Sequence, residues 1–223
     1  TMPKPAAMVL VSAHWEEELP TVTAATNPPL LYDYYGFPPE TYRLTYPAPG
    51  HPQLAAQIAA LLQGAGFSCK LEQQRGYDHG MFVPLKLLYP LADIPCVQLS
   101  LIKGLDAAQH IRLGRSLAPL PEQNIAIIGS GMSFHNLRAV FAGERQELRA
   151  ASDKFDEWLV TTMTSAGLNT ADRTLALERW EQAPQARFCH PREEHLLPLH
   201  VCYGAASHKD QAAKLIFNEA LMG

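Results

Sequence analysis

The 223-residue sequence has no apolar stretch approaching the roughly 20 residues that a membrane-spanning helix needs. No secretory signal pattern is visible at its start. It has no run of Lys and Arg, and its formal net charge is −4. Nucleic acid and anionic membrane surfaces are therefore not expected partners. Cysteine is scarce. Cys69, Cys96, Cys189 and Cys202 are scattered with no C-x-x-C pair. A chain of this size does not need disulfides, so all four read as reduced thiols and the protein as cytoplasmic. The common catalytic motifs are missing too. There is no Gly-x-Gly-x-x-Gly after a strand, no P-loop, no nucleophile elbow and no His-Glu-x-x-His. Nucleotide binding and serine hydrolysis lose support accordingly.

What is present is a 47% hydrophobic chain, enough to bury one substantial core, and a single domain over residues 1–223 is expected. Ala6 to Ser12 is a continuous apolar run, the signature of a strand buried on both faces. A second strand is expected over Thr21 to Ala25, and residues 26–50, rich in Pro, Tyr and Gly, form loop. Pro52 opens a helix whose stripe is Leu54, Ile58, Leu61 and Leu62, with Gly64 and Gly66 at its end. Strands follow over Ser68–Glu72, Ile94–Leu101 and Asn124–Gly129. Helices are expected over Met81–Tyr89, Asp106–Leu117, 147–165 and 171–181, and a last long one starts at Pro191. The alternation predicts an α/β layered sandwich, a mainly parallel or mixed central sheet flanked by helices. The chain starts almost inside its first apolar run and stops at Met222-Gly223 with no terminal element, so both ends are expected to continue.

Nine histidines carry most of the chemical potential, and position separates them. His14 follows the first strand, expected to end at Ser12. His135 follows the strand expected to end near Gly129, across Gly129-Ser130-Gly131. Ligands of open α/β sheets bind beyond such strand ends, although plain loop histidines would occupy the same positions. His79, in Gly76-Tyr77-Asp78-His79-Gly80, sits beside a carboxylate that could tune it, and turn chemistry explains the same residues. His195 is placed in the second turn of the last helix, next to Glu194, as a metal ligand or as a core histidine with a satisfied hydrogen bond. His110 is expected mid-helix on the surface; His51, His190, His200 and His208 have weaker claims. A scattered histidine set on an α/β frame favours a mononuclear metal site.

Several segments together resemble one family. They are Ser12-Ala13-His14-Trp15, Tyr46-Pro47-Ala48-Pro49-Gly50, Asp78-His79-Gly80, His135-Asn136-Leu137 and Glu194-His195-Leu196-Leu197-Pro198-Leu199, with Asp33-Tyr34-Tyr35-Gly36-Phe37-Pro38 as a further likeness. In this order and spacing they resemble the class III extradiol ring-cleavage dioxygenases, most of all the 4,5-DOPA dioxygenase type. The resemblance implies a mononuclear Fe(II) site, with Zn(II) as an alternative occupant. It implies that His14 and His195 are metal ligands, that His135 lies near the metal as acid/base or additional ligand, and that His79 lines the substrate pocket. It further implies a metal ligand in a His-Gly segment ahead of the first strand. Residues 1–223 hold no such segment there, and the N-terminal part that carries it is expected to be missing from this sequence.

The chemistry explains the residue types. Dioxygen does not open an aromatic ring unaided, and iron(II) can hold a catechol by both oxygens while about three protein ligands leave positions open. Imidazole, with an ordinary pKa of about 6.5, can ligate, take a hydroxyl proton and return one later. His135 and His79 are the candidate catalytic residues, and Tyr32, Tyr34, Tyr35 and Phe37 could wall an aromatic pocket. The expected partners are a small catechol and dioxygen, and a homo-oligomer is compatible with the composition. Two rivals stand beside this reading. One is a zinc-dependent hydrolase with Glu194 or Asp78 as base; the other is a non-catalytic binding protein of the same fold.

Overall fold

The computed structural model describes residues 4–142 and 145–219. The opening Thr1-Met2-Pro3 and the closing Met222-Gly223 lie outside the described residues. Strand β1 (Ala7–Glu17) is the centre of the architecture. It pairs in parallel with β4 (Cys96–Ile102) on one side and with β5 (Ile125–Ser130) on the other. Two short strands, β2 (Thr21–Thr23) and β3 (Lys70–Glu72), complete a five-stranded sheet of order β3-β2-β4-β1-β5. The β2–β4 pair is antiparallel, so the sheet is mixed.

Alternation along β1 explains the layers. Val9 and Val11 face one core, where they meet Leu54 and Ile58 of α1 (Pro52–Gly64), Ile111 of α3 (Ala107–Ser116), and Leu197 and Val201 of α8 (Leu197–Ala206). Met8 and Leu10 face the opposite core, with Tyr46, Tyr77 and Met81, Phe82 and Leu85 of α2 (His79–Leu88). Both faces of β1 are thus buried, as its unbroken apolar run requires. The helices α5 (Arg145–Thr164), α6 (Thr170–Glu178) and α7 (Ala186–Cys189) extend the first core through Phe155, Leu159, Leu177 and Ala186. The outcome is the α/β layered sandwich. No described helix is long and apolar enough to cross a membrane.

Three expectations change. First, β1 does not stop at Ser12. It continues to Glu17 through an irregularity: β1 advances from Val11 to Glu16 while β4 advances only from Leu99 to Leu101. The surplus residues bulge, and His14 stands exposed on that bulge. Second, no long helix starts at Pro191. Residues 191–196 form turns, and α8 begins at Leu197. Pro198 falls in the first turn of α8, where its missing N–H leaves no helical bond unmade. His195 therefore lies in a turn ahead of α8, not in a second helical turn. Third, His110 is fully buried rather than on the surface. Its Nε2 accepts from the Ile102 N–H at 3.0 Å and its Nδ1 donates to the Asp106 carbonyl at 2.7 Å, so it is a satisfied core histidine.

Candidate active site

Each of the four singled-out histidines is delivered by a different element. His14 comes from the bulge in β1. His79 is the first residue of α2, two residues earlier than the expected helix start. His135 lies between β5 and α4 (Leu137–Ala142), where its N–H donates to the Cys189 carbonyl at 2.9 Å. Next to it, the Asn136 side chain accepts from the Ala139 N–H at 3.1 Å and donates to the Phe188 carbonyl at 2.7 Å. The loop carrying His135 is thereby fixed to both α4 and α7. His195 is drawn to the end of β5 by a 2.9 Å bond from the Met132 N–H to its carbonyl.

The rings form one continuous cluster. His14 lies 4.0 Å from His79 and 5.0 Å from His195, centroid to centroid, and His195 stacks on His135 at 3.3 Å. Two glycines permit this approach. A Cβ at Gly80 would lie 2.5 Å from Ser12 Oγ and 2.8 Å from His14 Cδ2; one at Gly131 would lie 2.1 Å from the His195 carbonyl oxygen. A cavity of about 650 Å³ opens beside His135 and Glu194, lined also by Asn136, Leu137, Phe188 and Arg192.

Carboxylates hold the imidazoles in place. Glu194 Oε1 lies 3.0 Å from His195 Nδ1 and 3.2 Å from His135 Nδ1. Burial pushes the Glu194 carboxyl up, but the bond from His195 and the charge of Arg192 outweigh it and hold the group below its usual range. Arg192 in turn grips Glu16 of β1 with both guanidinium nitrogens, at 2.6 and 2.5 Å. On the other side, Asp33 Oδ1 accepts from His79 Nδ1 at 2.8 Å and from the His79 backbone N–H at 3.0 Å. That bond raises the His79 pKa against the opposing effect of burial. His14 has no such support. Although His14 reaches solvent, the protein packed around its ring, then the nearby His79 and His195, lower its pKa to about 4, so the ring is neutral at neutral pH. His135 is lowered as well, first by burial and then by His195.

Asp78, a candidate base under the hydrolase reading, is fully buried and committed elsewhere. It accepts from Ser12 Oγ at 2.8 Å, from Gln98 Nε2, and from Arg75 Nη2 at 3.1 Å. Ser12 Oγ also accepts the His14 N–H at 3.2 Å, and the Arg75 guanidinium lies 4.7 Å over the Trp15 ring. This network holds the β1 bulge against α2 and takes Asp78 out of contention as a base for water. The aromatic loop is only partly assembled on the site. The Tyr34 ring stands edge-on to His79 at 5.5 Å, whereas Tyr35 is 91% exposed. Sequence reasoning missed Asp33 as a partner of His79 and Arg192 as a partner of Glu16. Only the Glu-His adjacency at 194–195 carried a signal for Glu194.

Comparison with known proteins decides the class. A family model described as the catalytic LigB subunit of aromatic ring-opening dioxygenase matches residues 1–223. The chain belongs to this family. It is an extradiol aromatic ring-opening dioxygenase, and enzymes of this family depend on a metal. A protein of Beta vulgaris named 4,5-DOPA dioxygenase extradiol is 40% identical, the match covering 96% of this chain and 78% of that protein. Dioxygenase tasH of Hapsidospora irregularis is 43% identical over 98% of this chain and 69% of its own length. The crystal structure of an uncharacterized protein from Escherichia coli K12 superposes with a TM-score of 0.70 at 32% identity. That match covers 92% of this chain and 77% of the other.

Proposed function

We propose that His14 and His195 ligate a single iron(II) ion, with zinc as the alternative occupant, and that His135 and His79 are the acid/base residues of catechol ring opening. The observation that carries this reading is the convergence of all four rings, from four separate elements, at 3.3–5.0 Å. The residues fit a divalent first-row metal. The donors are imidazole nitrogens, and His14 and His195 stand in two separate His and carboxylate groups, each with ligand atoms within 4.8 Å of one another, that adjoin where these two rings lie 5.0 Å apart. His195 presents its Nδ1 to a carboxylate, the partner that ligating histidines characteristically have.

Bound there, the metal supplies Lewis acidity toward the catechol hydroxyls and a route past the spin barrier to dioxygen. The protein groups do the rest. His135, with Nδ1 3.2 Å from Glu194 Oε1, can accept a hydroxyl proton at its other ring nitrogen and later return it. His79, held by Asp33, offers the same atom from the opposite side. The Tyr34 ring and the neighbouring Tyr32 form an aromatic wall against which a catechol ring can lie. The names of the relatives favour a catechol with a DOPA-like side chain as substrate. The four cysteines are free, which supports a reducing, cytoplasmic setting.

Metal analysis of purified variants tests the ligand set. Replacing His14 or His195 by Ala should weaken metal binding by about a hundredfold or more with the far-ultraviolet spectrum unchanged, since loss of a mere outer-shell partner already costs about 10–100-fold. Wild-type metal stoichiometry in both variants would remove these residues from the ligand set.

A further inference from the structure

We propose that Asp33 is the positioning residue for His79, and that it acts by fixing which ring nitrogen carries the proton. The inference rests on the reading of His79 as an acid/base residue and names what sets that residue's orientation. Asp33 Oδ1 takes two bonds from one residue, the ring Nδ1 at 2.8 Å and the backbone N–H at 3.0 Å. A carboxylate is only an acceptor, so Nδ1 is a protonated nitrogen, and in the neutral ring Nε2 is the one with the lone pair. The backbone bond matters as much. His79 opens α2, and its N–H is among those that no helical carbonyl can satisfy. The residue before it, Asp78, makes no capping bond, because its carboxylate is held by Ser12, Gln98 and Arg75. Asp33 supplies the missing acceptor and places a negative charge at the helix start, where the dipole favours it.

The ring so fixed has no freedom to turn unnoticed. It lies between His14, at 4.0 Å and 39°, and Tyr34, edge-on at 5.5 Å. The segment that carries Asp33 is itself braced by tyrosines. Tyr32 Oη donates to the Leu44 carbonyl at 2.6 Å, and Tyr34 Oη donates to the Thr41 carbonyl at 2.7 Å. The loop of residues 31–44 therefore folds on itself and presents one carboxylate to α2. Asp33, with Tyr34 beside it against the His79 ring, fastens this aromatic loop onto the site.

The test uses the metal-loaded enzyme for rates and nitrogen NMR of the metal-free protein for the tautomer. In wild type, the His79 ring should show a protonated Nδ1 and an unprotonated Nε2. Asp33→Ala should redistribute the proton between the two nitrogens and lower kcat by about tenfold or more, with metal content unchanged. Asp33→Glu, which keeps the acceptor, should recover part of the rate. The double variant Asp33→Ala/His79→Ala should be no slower than His79→Ala alone, because Asp33 acts through that ring. If His79→Ala is slow but Asp33→Ala keeps both the wild-type tautomer and the wild-type rate, the role of Asp33 is overturned and that of His79 stands. If His79→Ala turns over normally, the acid/base reading of His79 falls, and the catalytic part of this inference with it.

Discussion

At the scale of single residues, the histidines of this enzyme divide by what their nitrogens touch. His110 has both nitrogens matched to the backbone, one accepting and one donating, and burial lowers its pKa to about 4. Its folded pKa lies below the unfolded value near 6.5, so the charged form is the one the fold disfavours. Stability from this group is complete above pH 6.5, falls as the pH drops toward 4, and changes no further below that. The full window is worth about 3 kcal/mol. Denaturant titrations at pH 7 and pH 4 should show His110→Gln with a lower starting stability but a shallower loss on acidification than wild type. An identical loss in both proteins would contradict the assignment. The four clustered rings are different. Their rings meet carboxylates and one another, and it was the resemblance of their segments to one family that singled out His14, His79, His135 and His195, since position left each of them a plain loop, turn or core reading. Their supports were not legible. Asp33 and His79 are 46 residues apart, and Arg192 and Glu16 are 176 apart. No local pattern records such a pairing, because the fold brings the partners together only after its strands have set the register.

At the scale of elements, strand existence was legible and strand ends were not. The apolar runs of β1, β4 and β5 announce themselves because both faces are buried. The extension of β1 to Glu17 does not, since Ser12, His14, Glu16 and Glu17 are polar and the strand resumes at Glu16 only after a bulge that pairing with β4 alone can define. The same holds for the start of α8, where a proline two residues into the segment outweighs the acidic residues that suggested an earlier helix start. Gly80 shows how closely α2 and the bulge fit. In an ordinary helix Gly→Ala gains about 1 kcal/mol from propensity. Here the new methyl would meet Ser12 Oγ and the His14 ring at under 3.0 Å. Gly80→Ala should therefore lose stability rather than gain it and should slow turnover by about tenfold or more, because a small displacement of reacting groups is costly. Thermal melting and steady-state rates check this. A variant that melts higher and works as well as wild type would contradict the described packing of α2 on β1.

At the scale of the whole molecule, the layered α/β sandwich followed directly from alternating runs of strand and helix. The antiparallel β2–β4 pair did not, because β2 is three residues long and carries no direction in its composition. Parallel strands β1 and β5 pair as far as Ser12 and Ser130, and the residues just beyond carry His14 and His135 toward the turn that holds His195. The measurement that tests the central claim most directly is dioxygen uptake by the iron-loaded holoenzyme given a DOPA-like catechol, with the product examined by mass and absorbance. The expected result is one dioxygen consumed per catechol and a yellow product that retains both oxygen atoms, opened beside the hydroxyls. His135→Ala should slow that reaction by about a hundredfold, the usual scale of a lost acid/base group. Stoichiometric iron with no oxygen uptake across a panel of catechols, or a colourless product cleaved between the hydroxyls, would contradict it.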